Sequence, residues 1–391
     1  MMITLNDGRS SAESVRPSGR GAILNMSTGP VEVSPAVLDA QLEPMLTPHH
    51  PSFWELHDQT IGMLQKALRT TGKVLMMHGS IRTGIDLALG NFIGPRSRVL
   101  AIQNGFWGAL IAEWAALRGA EVVTVDHGPL ESLDLEKIEN LLRQSHFDLV
   151  TVVHVETNAG IVNPIEKLGQ IVARTDALYF VDTACSAGAI PVETDRWRID
   201  IGTTGSHKCL ASVPGIAVIT LSEKAWSRIR EREMGAYFNF RRWWAATVDR
   251  QSLPPFTQPS SLVRALRRAL IEIAPDGIES WWRHHADVAS DFMRRTRQAG
   301  FGFLLDEAET PHPRSAYADS VMAISYPAGV SDEAFRSTLF DRFGIFVIGN
   351  VGVYAGRSFR VGLMSPSQLE PKNVDALLRA MSEARDLARS A

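Results

Sequence analysis

Between residues 74 and 220, short apolar runs rich in β-branched residues alternate with stretches of helical periodicity, and this alternation constrains the fold most. The runs are Val74–Met77, Val99–Ile102, Val122–Val125, Leu149–Val153, Leu178–Val181, Ile199–Thr203 and Ile216–Thr220. Helical patterns at Gly84–Phe92, Leu110–Leu117, Leu135–Leu142 and Ile165–Val172 lie between several of them. Strands that read as continuous apolar runs are buried on both faces, so the expectation is an α/β fold with a mostly parallel, seven-stranded sheet between helical layers. Right-handed crossovers gather the carboxyl ends of such strands along one edge, where ligands bind. The polar and Gly-containing clusters that follow the runs are therefore the candidate functional residues.

At 391 residues, with 45% hydrophobic and 21% charged, the chain is long enough for two cores. The alternation fades after Glu223. An Arg-, Trp- and Pro-rich stretch (231–256) precedes a helical pattern at Ser260–Ile273 that ends near Pro275-Asp276-Gly277. The expected division is a flexible extension over 1–24, a large domain over 25–278 including an interdomain helix, and a smaller C-terminal α+β domain over 279–391. A formal charge of −3 gives no reason to expect nucleic acid or an anionic membrane as a partner. The two cysteines, Cys185 and Cys209, have neither a disulfide framework's density nor metal-ligand spacing, so no metal is expected. No apolar run approaches the ~20 residues of a membrane span. Met1–Arg20 lacks a signal peptide's apolar core, and a cytoplasmic location is expected.

The strongest constellation joins two strand ends. Tyr179-Phe180-Val181-Asp182 closes one run, and Thr204-Gly205-Ser206-His207-Lys208 follows another. An acid and a lysine that converge over one sheet edge are what pyridoxal phosphate (PLP) requires. The lysine holds the coenzyme as an imine, and the carboxylate pairs with its pyridine nitrogen. Alone, Asp182 reads equally well as a helix N-cap, and a lone lysine such as Lys208 reads more readily as a solvated loop residue. Taken with Pro214-Gly215, these motifs resemble the class V aminotransferases of PLP fold type I, the alanine–glyoxylate and serine–pyruvate group. The resemblance runs from Ser27-Thr28-Gly29-Pro30 to Gly362, and it implies amino-group transfer from a small α-amino acid to a 2-oxo acid such as pyruvate or glyoxylate.

The turn Met77–Gly84 lies between a strand and a helix, and free N–H groups at a helix start suit a phosphate. The resemblance assigns Ser80, Ile81 and Arg82 to this contact. Ile81 stands where the family usually has glycine, and Arg82 departs from the family pattern but suits an anion. Trp107 matches the aromatic that stacks on the coenzyme ring; a core tryptophan is the plainer alternative. Thr157 matches the hydroxyl near the coenzyme's phenolic oxygen, with a turn threonine as the alternative. Glu156 and Asn158 read as structural. His207 is a candidate for the phosphate or its neighbours. Thr257, in Phe256–Ser260, matches a threonine that reaches the neighbouring subunit's phosphate, which implies a homodimer with shared active sites.

Arg360, inside the apolar alternation Gly356–Gly362, needs an anionic partner if buried. The resemblance makes it the clamp for the substrate carboxylate, backed by main-chain N–H groups around Thr28 and Gly29, with Arg357 solvated. Aromatic residues around Phe53-Trp54, Phe238–Trp244 and Ile348–Tyr354 point to a bulky or apolar donor.

Three other readings compete. His78-Gly79, His207–Leu210 and Ser222–Trp226 look like pyridoxamine–pyruvate aminotransferase, but that enzyme carries an acid in the phosphate turn, where this chain has Ser80 and Arg82. A PLP lyase of the cysteine desulfurase kind needs a nucleophilic cysteine on a loop of the second domain, whereas both cysteines here fall beside the cofactor residues. A nucleotide-binding module lacks its Gly-rich fingerprint.

Overall fold

The computed structural model describes residues 23–230, 234–252, 254, 256–275 and 277–389. All but the last two residues of the expected N-terminal extension lie outside the described residues. The large sheet contains β1 (Lys73–His78), β2 (Arg98–Gln103), β3 (Glu121–Asp126), β4 (Leu149–Val153), β5 (Leu178–Asp182), β6 (Ile201–Gly205) and β7 (Ile216–Leu221). Their spatial order is β1-β7-β6-β5-β4-β2-β3. The pairs among β2 to β6 are parallel, while β7 runs antiparallel to both β1 and β6. The mostly parallel, seven-stranded expectation is met. The run at Ile199–Thr203 is displaced: the strand is Ile201–Gly205.

Period-two alternation sends each strand's side chains into two different cores. Along β4, Val150 and Val152 pack with Leu64, Leu142, Leu168 and Leu266, whereas Leu149 and Val153 pack with Ile85, Leu89 and Ile111. Helices α1 (Pro51–Ala67), α4 (Leu135–Gln144), α5 (Ile165–Val172) and α6 (Ser260–Ile273) thus cover one face. Helices α2 (Ile81–Phe92) and α3 (Phe106–Leu117) cover the other. All five residues of β4 are buried. Each such aliphatic side chain contributes about 1.5–3 kcal/mol by leaving water, which makes this sheet a rigid base for the turns at its edge.

The C-terminal unit has an antiparallel sheet of β8 (Gly302–Phe303), β9 (Val321–Ser325), β10 (Ile348–Gly349) and β11 (Ser358–Gly362), in the order β8-β9-β11-β10. Between β9 and β10 lies an α-helix (Asp332–Phe343), which Ser331 caps through Ala334 N; Gly344 ends it in a left-handed conformation, φ 67°. Helix α7 (Ile278–Gln298) serves both units. Ile278 and Trp282 join a core of the large sheet, while Ala289, Phe292 and Met293 enter the C-terminal core. At the other end of the chain, Leu24–Asn25 pairs in parallel with Ile345–Phe346, and Met26 is buried in the C-terminal core. The segment expected to belong to the large domain is therefore stitched at its start to the smaller one.

Candidate active site

Six of the seven strands end on one edge of the large sheet, and the turns that leave this edge hold the candidate residues. Asp182, the last residue of β5, is 3% exposed. One of its carboxylate oxygens accepts from Ala184 N at 2.9 Å. Burial pushes this carboxyl up to about 6, against the pull of the Ala184 N–H and the Lys208 charge. Lys208 follows β6, half-buried, and its Nζ donates to the carbonyl oxygen of Thr28. Gly29 is pressed against the same side chain. A Cβ there would lie 2.6 Å from Lys208 Cδ, and its φ of 111° also favours glycine. The Ser27–Pro30 turn thus presents a carbonyl to the lysine, a feature that sequence reasoning did not assign to it.

After β2 the chain turns through Asn104-Gly105 into α3. The reciprocal amide pair Asn104–Asn163, with Nδ2···Oδ1 distances of 2.9 and 3.1 Å, ties this turn to the one that follows β4. Trp107 Nε1 donates to Thr157 Oγ1 at 2.6 Å, so the expected ring-stacking and hydroxyl residues are joined. The Arg82 guanidinium carbon lies 5.1 Å from the Trp107 ring centroid, a cation–π contact. Glu156, 1% exposed, accepts from Trp107 N at 2.9 Å and from Asn158 N at 3.3 Å. Burial pushes its carboxyl up to about 7 although backbone N–H groups of Trp107, Asn158 and Gly108 stabilise the charge.

Arg360 on β11 is 6% exposed. Its Nη1 donates to Asn158 Oδ1 at 3.2 Å and its Nη2 to Gly349 O at 3.1 Å, while its buried Nε has no partner. Asn158 is itself fixed, because its carbonyl accepts from Asn350 Nδ2 at 2.7 Å. Burial lowers the Arg360 pKa. Arg357 is exposed and pairs with Glu307 at 2.7 Å, as its expected solvation suggests.

At the phosphate turn, Thr83 Oγ1 accepts from Ser80 N at 3.2 Å, Ser80 and Arg82 are exposed, and Ile81 is buried. Among the described residues, the N–H groups of Ile81 and Arg82 find no acceptor in the chain. Ile81 fills the space beside Gly205 that a Cβ would take, with His207 Cε1 3.4 Å from that point. Burial brings the His207 imidazole down to about 4, so it is neutral near pH 7, and its Nδ1 is buried without a partner. Thr257 is exposed; its neighbour Phe256 stacks on His78 with ring centroids 4.8 Å apart, beside the phosphate turn. Phe53 and Trp243 are core residues, which removes them from the expected donor pocket.

The donor set fits PLP. A half-buried amine, a buried acid, a fixed indole and an open helix start lie along one edge, and two buried polar atoms, His207 Nδ1 and Arg360 Nε, await partners. Cys185 and Cys209 are both buried, and burial pushes the Cys185 thiol up to about 11, which leaves no thiolate for lyase chemistry near neutral pH. Among the described residues no cluster has metal-ligand composition, and no helix is long and apolar enough to cross a membrane.

The sequence pattern of the family Aminotransferase class-V matches residues 64–294. The chain belongs to the class V aminotransferases, and it is a PLP-dependent transaminase that passes an amino group to a 2-oxo acid. It is 32% identical over 344 residues to an uncharacterized aminotransferase of Methanocaldococcus jannaschii, covering 87% of each chain. Pyridoxamine–pyruvate transaminase of Mesorhizobium japonicum is 26% identical over 375 residues, 95% of this chain and 94% of that one. The structure of ureidoglycine–glyoxylate aminotransferase from Bacillus subtilis superposes with a TM-score of 0.88 at 27% identity, covering 94% of both chains. The fold is thus PLP fold type I.

Proposed function

We propose that Lys208 is the residue that carries PLP, that Asp182 pairs with its ring nitrogen, and that Arg360 receives the carboxylate of a small α-amino acid donor. The observation that carries this reading is the Lys208 amine held by a lone backbone carbonyl at the sheet edge where Asp182 ends its strand. When bound, PLP supplies an electron-accepting ring that stabilises negative charge developing at the substrate Cα.

The chain's own residues do the rest. Asp182, desolvated and facing a cationic nitrogen, is held ionised and keeps that nitrogen protonated. Lys208 Nζ, released from the coenzyme, takes the proton from the substrate Cα as general base and returns it later as general acid. Arg360, with Nη1 and Nη2 fixed and Nε unpaired, offers a pre-set edge to a carboxylate. That contact orients the Cα–H bond before proton transfer. Trp107 covers the site and excludes water, which strengthens the charge interactions beneath it. Ser80, Ile81 and Arg82 take the phosphate at the start of α2, and His207 donates one neutral N–H.

Pyruvate or glyoxylate is the acceptor this reading favours, since the similar enzymes are named for those two acids. A homodimer with shared sites, in which Thr257 reaches the partner's phosphate, is supported by the exposure of Thr257 and of the apolar Leu42 and Met45. The proposed location is the cytoplasm, and the proposed domain boundary falls at the start of α7. A second reading, with free pyridoxamine as donor, is favoured by the match to pyridoxamine–pyruvate transaminase.

The test begins with visible absorption. Protein reconstituted with PLP develops a band that Lys208→Ala abolishes, together with all measurable transamination. Amino acids added without an acceptor then bleach the band, and pyruvate or glyoxylate restores it. Failure of every amino acid to bleach it would sink the transaminase assignment of these residues. Conversion of free pyridoxamine by protein carrying no PLP would favour the second reading.

A further inference from the structure

Glu156 is the most deeply buried carboxylate at the sheet edge, and the proposed chemistry gives it no task. Its setting is specific. It lies three residues past the end of β4 and crosses to the start of α3, a helix that has Gly105 at its N-cap position and no side-chain cap of its own. Four N–H groups at a helix start lack intrahelical partners, and a carboxylate there gains both hydrogen bonds and the helix dipole. Glu156 Oε2 takes the Trp107 N–H at 2.9 Å, and the Gly108 N–H also supports the charge. Gly105 is required for this approach, because a Cβ at that position would overlap Glu156 Cγ. The next residue, Thr157, holds the indole of the same tryptophan through Nε1 at 2.6 Å. Two adjacent side chains on one strand end therefore pin the backbone and the ring of one residue on another.

We infer that Glu156 is a positioning residue: by plugging the start of α3 it fixes the backbone of Trp107, so that Thr157 can hold the indole in one orientation over the site. The inference rests on the proposed reading in one respect, that Trp107 faces the coenzyme ring. The link from Glu156 to Trp107 stands apart from it. The alternative is a carboxylate that only supports the fold, with no effect specific to Trp107.

The two are separated by a double-mutant comparison at pH 8, read first in the coenzyme-free protein. The near-ultraviolet circular dichroism of wild type minus that of Trp107→Phe isolates the fixed indole. This difference largely vanishes when measured in a Glu156→Gln background. It also vanishes in Gly105→Ala, which displaces the carboxylate without removing it and so guards against one variant failing to fold. In the holoenzyme, Glu156→Gln weakens PLP binding about tenfold, the scale of one charge-assisted hydrogen bond. The Glu156→Gln/Trp107→Ala double variant then binds PLP no more weakly than Trp107→Ala alone. A circular dichroism difference that persists intact in both backgrounds overturns the inference, as do binding losses that multiply in the double variant. Wild type that binds no PLP at all would instead sink the reading of the site, and the coenzyme-free spectra would still decide the role of Glu156.

Discussion

Two helices begin three residues beyond strands that end on the same sheet edge, and they treat their first turns in opposite ways. At the start of α2, Ser80 and Arg82 are exposed, and the Ile81 and Arg82 N–H groups lack acceptors among the described residues. At the start of α3 the N–H groups of Trp107 and Gly108 are taken by the buried carboxylate of Glu156. Either helix start alone would suit an anion. With one already filled from within the chain, the proposed phosphate site falls at the open one, and the indole carried by the filled one is held by Thr157. On the proposed reading, the coenzyme's orientation follows from where the protein spends its own carboxylate.

The contrast is broken most severely by closing the open turn. Ser80→Asp places a second carboxylate where the phosphate belongs, and it raises the PLP dissociation constant about a hundredfold or more through repulsion and loss of the dipole's anion site. Titration of coenzyme-free protein checks this; unchanged affinity would move the phosphate elsewhere. Acidity tests the filled turn. The folded-state pKa of Glu156, about 7, lies above its ordinary 4.5, so its contribution to stability is full below about pH 4.5 and is lost as pH rises through 7. Relative to Glu156→Gln, coenzyme-free wild type therefore loses about 2 kcal/mol between pH 5 and 8. Asp182 is raised too; it titrates in both proteins, so its own contribution largely cancels, and what remains is its charge, which helps to raise Glu156. Denaturant unfolding at the two pH values measures the margin, and a constant margin would mean that Glu156 does not ionise in this window.

Smaller effects sharpen the second anion site. Arg360→Lys keeps the charge but not the planar edge, and kcat/KM for amino acids falls about tenfold or more. An amine donor without a carboxylate should be spared. Asn158→Ala, which frees Nη1 while leaving the guanidinium in place, raises KM about threefold with little change in kcat. An equal fall in kcat would assign Asn158 a part in the chemistry itself.

The apolar runs made most of the sheet legible, because strands buried on both faces have little choice of residue. The direction of β7 was not read, although the short connection from Gly205 to Ile216 leaves no room for the crossover that a parallel pair needs. Asp182, Lys208, Trp107 and Thr157 were legible as residues that follow or end strands and Arg360 as one inside a strand, and the structure brings the last three of these into one network with Glu156 and Asn158. Glu156 and Asn158 themselves passed as structural. Their partners are backbone N–H groups and a distant arginine, and neither leaves a local pattern. The Gly105 beside Trp107 was the available signal for Glu156, since a glycine there answers to something close by. The Thr28 carbonyl was invisible for a similar reason: any residue supplies one.

That carbonyl has a further consequence. Three residues before it, Asn25 is locked in register with Phe346, and the turn between them is braced: Ser27 N donates to Asn25 Oδ1 at 3.0 Å and Gln368 Nε2 donates to Ser27 O at 2.9 Å. The stretch from Asn25 to Thr28 is a tie rod between the C-terminal sheet and the lysine. Any displacement of Phe346 is passed down this rod to the oxygen holding the amine, so the lysine's tether answers to the position of the smaller unit.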